Sequence, residues 1–168
     1  MQYWLRRKVA LHLDYIYGPK TSDYWPLDEL DYDISKKTGR LKRLYWKGRL
    51  LATIRENGSI ALTILGAELL CRNTEFRKHY AIVVDKKSEG PVSEGKTVFA
   101  KHVILHGDMI KPKLDVPVLN AEGKVIAVGQ ALISSKMLGR FKRGVAVKVR
   151  EGLKMVRCSK KLGGRKLV

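Results

Sequence analysis

The sequence predicts an α+β protein: a small α/β N-terminal domain, built as a β meander with helices, followed by a β pseudo-barrel. Three observations support this fold class. Residues 1–17 place apolar side chains at helical spacings. Between residues 40 and 65, short apolar runs are separated by glycine-containing turns, and a similar pattern returns between residues 107 and 150. Short strands joined by tight turns, with helices set apart from them, are typical of α+β domains.

The first element is a predicted helix over residues 1–17 that ends at Gly18-Pro19. Glycine supplies the C-cap and proline prevents the helix from continuing. The helix carries three consecutive basic residues, Arg6 to Lys8, which point to different faces. Two interpretations stay open for them: contact with phosphate, or simple solvation.

An acidic stretch follows, because Thr21 to Ser35 contains five Asp and Glu residues and no Lys or Arg. Paired carboxylates can serve acid/base or metal chemistry, but turn composition surrounds Pro26 and no histidines cluster there. The sequence therefore favours a solvated acidic loop, or an internal clamp for the protein's own basic residues.

The next segment is predicted to form a three-stranded meander. Its turns are Lys47-Gly48 and Asn57-Gly58, and Asn-Gly between apolar runs is a strong hairpin signal because both residues accept positive φ. Thr63 is expected to cap a short helix, and residues 80–84 are expected to return as a strand. The predicted meander strands are Leu41–Tyr45, Leu50–Ile54 and Ile60–Leu62.

The second half is predicted to be a compact barrel around the Gly107-Asp108 turn. The buried strand Val125–Ala131 contains Gly129, which lacks a side chain and so lets another backbone come close. Residues 145–150 alternate valine with alanine, lysine and arginine, as expected for a half-buried strand with a basic outer face.

The domain boundary is predicted at residue 93, within residues 86–95, a linker-like segment of turn formers and charges. The predicted parts are an N-terminal domain over residues 1–93, the barrel over residues 94–158 and a basic tail over residues 159–168. The tail has the composition of a mobile segment that orders only against a partner.

Net charge is the most informative bulk property. The chain has 34 Lys and Arg against 16 Asp and Glu, a formal net charge of +18. Residues 1–93 hold 17 basic and 11 acidic residues, and residues 94–168 hold 17 and 5. Such an excess favours a polyanionic partner. With no apolar run long enough for a membrane span and no signal segment, we expect a soluble, cytoplasmic protein without a membrane partner.

The barrel segment resembles a known family. Gly95–Lys101, the Gly107-Asp108 turn, Ala127–Gly129 and Gly144–Arg150 occur in the order and spacing of a PUA domain, the RNA-binding pseudo-barrel of pseudouridine synthases and archaeosine transglycosylases. The resemblance implies a PUA β pseudo-barrel that binds structured RNA.

The first half resembles the domain before the PUA domain in archaeal tRNA-guanine transglycosylase. In that family this C-terminal part grips tRNA, and a separate barrel domain, expected to be absent here, exchanges the base. The resemblance thus covers nearly the whole chain. It rests on Asp14–Gly18, Thr38–Lys42, Leu50–Ile54, Leu62-Thr63 and Gly66-Ala67.

Two sources give the predicted RNA-binding residues. The PUA resemblance implies contacts from Thr97, Lys101 and His102 on a helix, although the family often has an aromatic residue where His102 stands. It also implies contacts from Lys111, Lys148, Arg150 and Lys154. The basic excess of the last 33 residues, where Glu151 is the only acid, adds Lys136, Arg140, Lys142, Arg143, Arg157, Lys160, Lys161, Arg165 and Lys166.

The sequence predicts no catalytic residues, no metal, no cofactor and no small-molecule substrate. Cys71 and Cys158 form no paired motif and are expected to be reduced and mostly buried. His102 and His106, four residues apart with Asp108 nearby, supply too few ligands for zinc. Trp46, beside Lys47, is the best candidate for base stacking, against a packing role.

Three functions stay open. The first is a non-catalytic RNA-binding protein on ribosomal RNA, acting as a ribosome component with other ribosomal proteins as further partners, favoured by the +18 charge on so short a chain. The second is a stand-alone tRNA-binding partner of a tRNA-modifying transglycosylase. The third, a small enzyme, lacks a catalytic constellation.

Overall fold

The computed structural model of the protein describes the backbone of residues 2–162 and the side chains of residues 2–158. Within these residues the strands form a four-stranded and a six-stranded sheet. The first half contains α1 (Gln2–Tyr17), β1 (Leu30–Ile34), β2 (Leu41–Trp46), β3 (Arg49–Ile54), β4 (Ile60–Leu62), α2 (Ile64–Leu70) and α3 (Thr74–Tyr80). The second contains β5 (Ile82–Val84), α4 (Lys86–Ser93), β6 (Val98–Phe99), β7 (Val103–His106), β8 (Asp115–Leu119), β9 (Val125–Ala131), α5 (Ser135–Leu138), β10 (Val145–Gly152) and α6 (Leu153–Leu162).

The predicted N-terminal helix is confirmed as α1. It buries one stripe of side chains, Leu5, Val9, Leu13 and Tyr17, at a spacing of four residues. The helix ends before Gly18, whose φ of 90° is a left-handed conformation that glycine adopts without strain.

The predicted meander is confirmed and has one more strand than expected. β1 to β4 pair in order, each antiparallel to the next. β1 lies inside the acidic stretch, so the prediction of a loop is wrong for residues 30–34. The internal-clamp interpretation is confirmed, because Arg6 pairs with Asp28, Lys47 with Glu29 at 3.8 Å and Arg43 with Asp33 at 3.8 Å.

The six-stranded sheet curls into a nearly closed barrel, as predicted. Its order is β6-β10-β9-β8-β5-β7, with all neighbours antiparallel except β5 and β8. The two edge strands β6 and β7 are consecutive in the chain and separated only by the 3₁₀ turn Ala100–His102. That turn closes the gap between the sheet edges.

Two helices replace structures expected from sequence. The predicted strand over residues 80–84 is shorter, since α3 extends to Tyr80 and β5 begins at Ile82. The predicted linker over residues 86–95 is largely α4, whose N-cap Asp85 accepts a hydrogen bond from the Ser88 N–H at 2.9 Å. The predicted boundary at residue 93 therefore falls at the end of α4, after β5 of the barrel sheet.

One hydrophobic cluster crosses from the meander half into the barrel half. Tyr17, Phe76 and Tyr80 form an aromatic group with ring centroids 5.2 to 5.6 Å apart. The same buried cluster includes Leu119 and Val128 of the barrel sheet. Burial of apolar surface therefore stabilises the two halves against each other. No helix within residues 2–162 has the length and apolarity needed to cross a membrane.

Candidate nucleic-acid interface

A basic loop lies at one rim of the barrel. We call residues 139–144, between α5 and β10, the rim loop. The Gly144 carbonyl accepts a hydrogen bond from the Ala100 N–H at 2.9 Å, and Val145 pairs with Phe99 across the sheet. Lys101 is thereby placed beside Arg143, and both side chains are exposed.

A second basic group surrounds Gln130 on the outer surface of β9. Lys148 of β10 pairs with Gln130, and the Gln130 side-chain amide donates to the Lys113 carbonyl at 3.2 Å. Lys111 lies in the same turn, since its carbonyl accepts from the Leu114 N–H. Lys113, which was not among the residues predicted from sequence, joins this group with a positive φ of 70°.

These two groups form one basic surface, here called the cationic strip. Gly144, at the rim, and Lys148 are four residues apart along one chain, roughly 13 Å in a strand. All members are exposed, and among the described residues none has a side-chain ion pair or hydrogen bond. Cations without internal partners are the ones available to an external anion. The predicted members are Lys101, Lys111, Arg140, Lys142, Arg143 and Lys148, whereas Lys136 is exposed on α5, outside both groups.

Arg150 has a different environment from the rest of the predicted set. Its guanidinium donates two hydrogen bonds of 2.7 Å to the carboxylate of Asp115, whose side chain is fully buried, and a third to the Leu62 carbonyl. The structure thus engages this guanidinium inside the protein instead of presenting it with the strip.

Asp115 joins the two halves of the molecule. It belongs to β8 of the barrel, and its carboxylate also accepts from the Leu62 N–H of β4 at 2.8 Å. Its backbone carbonyl accepts from the Tyr17 hydroxyl at 2.8 Å, and Arg55 lies 3.7 Å from its carboxylate. Burial, reinforced by the Asp115 charge, raises the pKa of Tyr17 well above its ordinary value, so the hydroxyl remains a donor.

Three more predicted residues lie outside the cationic strip. Lys154 pairs with Glu94 at 3.3 Å, and Thr97 is half-buried before β6. Arg157 lines a groove of about 680 Å³ between α2 and α6. Lys160 and Lys161 lie in α6, but their side chains, like all of Arg165 and Lys166, fall outside the described residues.

Lys101 and His102 lie in a helix as predicted, but it is the single 3₁₀ turn Ala100–His102, and Thr97 lies outside it. His106 lies in β7, so the two histidines do not share a helix face. His102 Nδ1 is 2.8 Å from the Asp85 carboxylate, and His106 Nδ1 is 2.9 Å from the Gly107 carbonyl. Across the described part of the chain, no group of three or more His, Cys, Asp or Glu residues could hold a metal ion.

The two thiols differ in environment. Cys71 is buried as predicted, and burial raises its pKa to about 12, which keeps the sulfur protonated and unreactive. Cys158 is exposed on α6, contrary to the expectation of a buried thiol, because that helix turns this position away from the protein.

The exposed aromatic residues are not the ones favoured by the sequence. The Trp46 indole N–H donates to Glu29 at 2.9 Å, and Lys47 covers its ring at 4.8 Å, so this side chain already packs within the protein. Phe99, next to the rim loop, and Phe141, within it, are each about half exposed. The signal available in the sequence was the position of Phe141 between Arg140 and Lys142.

The nearly closed barrel with this cationic strip defines the class: the molecule is a PUA-domain protein. Residues 80–153 match the PUA domain family, and residues 7–77 match the patch-forming domain C2 of tRNA-guanine transglycosylase. Together these two matches show that the chain resembles the C-terminal, non-catalytic part of tRNA-guanine transglycosylases, as the sequence predicted.

Two relatives show the extent of this similarity. The tRNA-guanine(15) transglycosylase of Methanocaldococcus jannaschii is 36% identical over 150 residues, covering 88% of this chain and 23% of the relative. That of Thermococcus onnurineus is 35% identical over 150 residues, covering 89% and 25%. The chain thus spans no more than a quarter of either relative.

Solved structures share the fold over nearly the whole chain. A hypothetical protein of Pyrococcus horikoshii superposes with a TM-score of 0.69 at 20% identity, over 88% of this chain and 89% of that one. A conserved PUA domain protein of Thermoplasma acidophilum gives 0.66 at 18% identity, over 94% and 95%. Both halves of the molecule are thus found together in other proteins.

Proposed function

We propose that this chain is a non-catalytic tRNA-binding protein that acts with a tRNA-modifying transglycosylase carried on another chain. The observation that carries the proposal is the cationic strip on a PUA barrel, in a chain whose relatives are named for a tRNA-modifying enzyme. The chain spans no more than a quarter of the two relatives described above, and in this proposal base exchange is carried out by a partner chain.

Phosphate contacts are the main source of affinity in this proposal. When lysine and arginine side chains without internal partners bind phosphate oxygens, the counterions condensed on the RNA are released. This release favours binding entropically. Such contacts position a folded RNA without reading its sequence. Arg150 is left out, because transferring its guanidinium to phosphate would remove both 2.7 Å hydrogen bonds from the buried Asp115 carboxylate and leave it only the longer contact with Arg55.

A second candidate function is binding to ribosomal RNA, which the sequence alone favours. One observation supports it, the net charge of +18 on 168 residues. The relatives favour tRNA over ribosomal RNA as the partner, because they are named for an enzyme that acts on tRNA.

The decisive experiment compares RNA partners directly. The full chain is titrated against a tRNA transcript and a ribosomal RNA fragment of equal length, over a series of salt concentrations. We expect tighter binding to tRNA and no guanine exchange by the pure chain. Preference for the ribosomal fragment, together with co-sedimentation with ribosomal subunits in high salt, would overturn the tRNA proposal in favour of the ribosomal one. Guanine exchange by the chain alone would overturn the non-catalytic role.

A further inference from the structure

A small cleft lies between α1 and the meander, away from the barrel. Its volume is about 150 Å³. The apolar side chains Val9, Leu41 and Ile54 contribute to its wall, and basic side chains surround them. The lining residues are Lys8, Val9, His12, Arg40, Leu41, Ile54, Arg55, Glu56 and Gly58.

Arg40 has an unsatisfied donor at this cleft. Its Nη2 donates to Glu56 at 2.8 Å, while its Nε is buried and has no hydrogen-bond partner among the described residues. A buried donor without an acceptor is costly, because it has given up water and gained nothing in return. The Arg40 side chain as a whole is 39% exposed, so an oxygen acceptor of a ligand would remove this cost once a small shift of the side chain opens Nε to the cleft.

Two other basic residues of the lining already have partners. His12 Nε2 is 2.6 Å from the Gly58 carbonyl, and Arg55 contacts Ser59 at 3.3 Å and Asp115 at 3.7 Å. Lys8 has only the Trp4 ring, 5.0 Å from its ammonium, and that ring is 62% exposed. Lys8 is therefore the lining cation without an anionic partner among the described residues, and Arg40, which pairs with Glu56 of the same lining, keeps guanidinium donors beyond that pair.

We infer that this cleft binds a single unstacked nucleotide of the RNA. The base lies against half-buried Ile54 and touches only the edges of Val9 and Leu41, which are 1% and 2% exposed, and the phosphate group is bound by Lys8 and Arg40. The inference rests on the proposed RNA-binding function and adds a site on the N-terminal half to the strip on the barrel. Apolar contact on a base face and cationic contact on its phosphate are the usual elements of single-stranded nucleic-acid recognition.

The chemistry of the lining excludes simpler ligands. Inorganic phosphate alone would leave the apolar wall against water. A purely apolar ligand would leave Arg40 Nε without an acceptor, and a cation would be repelled by Lys8 and Arg40. A nucleotide combines a planar apolar face with an anion, and so matches both parts of the cleft.

The first test uses free ligands and the intact chain. AMP, GMP, CMP and UMP are titrated while the methyl signal of Ile54 and the imidazole signals of His12 are followed by NMR. We expect these signals to shift with at least one nucleotide, and at least tenfold weaker binding in Arg40→Met. Arg43→Met is the matched control, because Arg43 lies in β2, three residues after Arg40, but outside the cleft.

Adenosine, guanosine, cytidine, uridine and inorganic phosphate are the comparison ligands, each expected to bind more weakly than the nucleotides. Absence of any shift, or equally weakened binding in both variants, would overturn the inference.

A second test separates this inference from the proposed function. Ile54→Phe fills the cleft from a half-buried position, and its thermal midpoint reports whether folding is preserved. If wild type binds the tRNA transcript and both folded Ile54→Phe and Arg40→Met bind equally tightly, the cleft inference fails while tRNA binding stands. If Ile54→Phe does not fold, Arg40→Met alone decides. If wild type does not bind tRNA at all but still takes nucleotides in the cleft, the proposed function fails instead.

Discussion

Arg150 and Asp115 form a doubly hydrogen-bonded ion pair, 2.7 Å at each bond, in which the Asp115 side chain is fully buried and the Arg150 side chain is about one third exposed. Through Asp115 the pair also engages Leu62 and Tyr17 of the N-terminal half. In β10, the Lys148 side chain is exposed and unpaired among the described residues, whereas Arg150, two residues later, bonds to Asp115. One basic strand provides both a cation for a ligand and an internal link between the two halves.

Removing Arg150 should unfold the protein more readily. Arg150→Met leaves the buried Asp115 carboxylate with Arg55, 3.7 Å away, as its remaining ion-pair partner. The loss of stability should therefore approach, without exceeding, the roughly 3–5 kcal/mol typical of a broken buried pair. Denaturant unfolding of the variant measures this decrease in stability. Lys148→Met is the control, because its exposed side chain has no ion pair among the described residues, and its stability should stay near wild type. If Arg150→Met is as stable as wild type but binds RNA less tightly, Arg150 belongs to the RNA interface after all.

Charge reversal in the rim loop should weaken RNA binding without unfolding the barrel. In Lys142→Glu/Arg143→Glu, the salt dependence of binding should become shallower by about one slope unit for each phosphate that the protein no longer neutralises. Binding of a tRNA transcript measured across salt concentrations gives this slope. Lys36→Glu/Lys37→Glu, in the exposed turn between β1 and β2, changes the net charge equally and should leave the slope near its original value. Equally shallow slopes in the two double variants would mean that net charge, and not the strip, controls binding.

The sequence predicted the elements that depend on local signals. Gly18-Pro19, Lys47-Gly48 and Asn57-Gly58 mark chain reversals that the structure has. β1 was missed because its acidic composition suggested a loop, although Leu30, Tyr32 and Ile34 alternate with aspartates at the spacing of a strand. Strand pairing with β2, a tertiary interaction, stabilises this segment despite the low strand propensity of Asp.

The candidate interface was only partly predictable for a different reason. Arg150 and Lys148 occupy equivalent positions of an alternating strand, so their sequence patterns are the same. The partner that distinguishes them, Asp115, is 35 residues away in the chain. His102 likewise bonds Asp85, 17 residues before it. Whether a basic side chain has an internal partner is a property of the tertiary structure, which composition cannot provide.

Gly129 should tolerate no side chain. Its backbone lies so close to β10 that a Cβ would be 2.7 Å from Val149 Cα and would clash with the Lys148 carbonyl. We expect Gly129→Ala to destabilise the barrel by about 1–3 kcal/mol, the usual cost of overpacking. Gly90→Ala is a control for the added methyl group, since open space surrounds this position, although Pro91 directly after it offsets the helix preference of alanine. Thermal unfolding should lower the midpoint of Gly129→Ala far more than that of Gly90→Ala, and an unchanged midpoint for Gly129→Ala would contradict the close approach of these strands.

Asp85 should contribute stability that disappears in acid. Hydrogen bonds from Ser88, with a further one from His102, lower the pKa of Asp85 from 3.8 to about 2. A carboxylate with a lowered folded-state pKa stabilises the protein above its unfolded pKa and loses that contribution as pH falls through the folded value. Asp85→Asn keeps a helix-capping side chain but has no charge. The difference in unfolding free energy between wild type and this variant should therefore shrink from about pH 4 to about pH 2. A difference that stays constant over this range would show that the charge of Asp85 does not contribute.

His79 should show the opposite pH dependence. Its Nδ1 is 2.5 Å from the Asp108 carboxylate and its Nε2 is 3.2 Å from Glu75, which links α3 to the Gly107-Asp108 turn. The hydrogen bond with Asp108, more than any other interaction, raises the pKa of His79 above 6.5. Its contribution to stability is complete below the unfolded pKa and is lost as pH rises through the higher folded value.

NMR titration of the His79 imidazole should give a pKa above that of an unstructured histidine, and Asp108→Asn should lower this pKa. In Asp108→Asn the fall in stability on raising the pH from about 6 to about 9 should be smaller than in wild type. Identical pH profiles for the two proteins would exclude the His79–Asp108 pair as a source of stability.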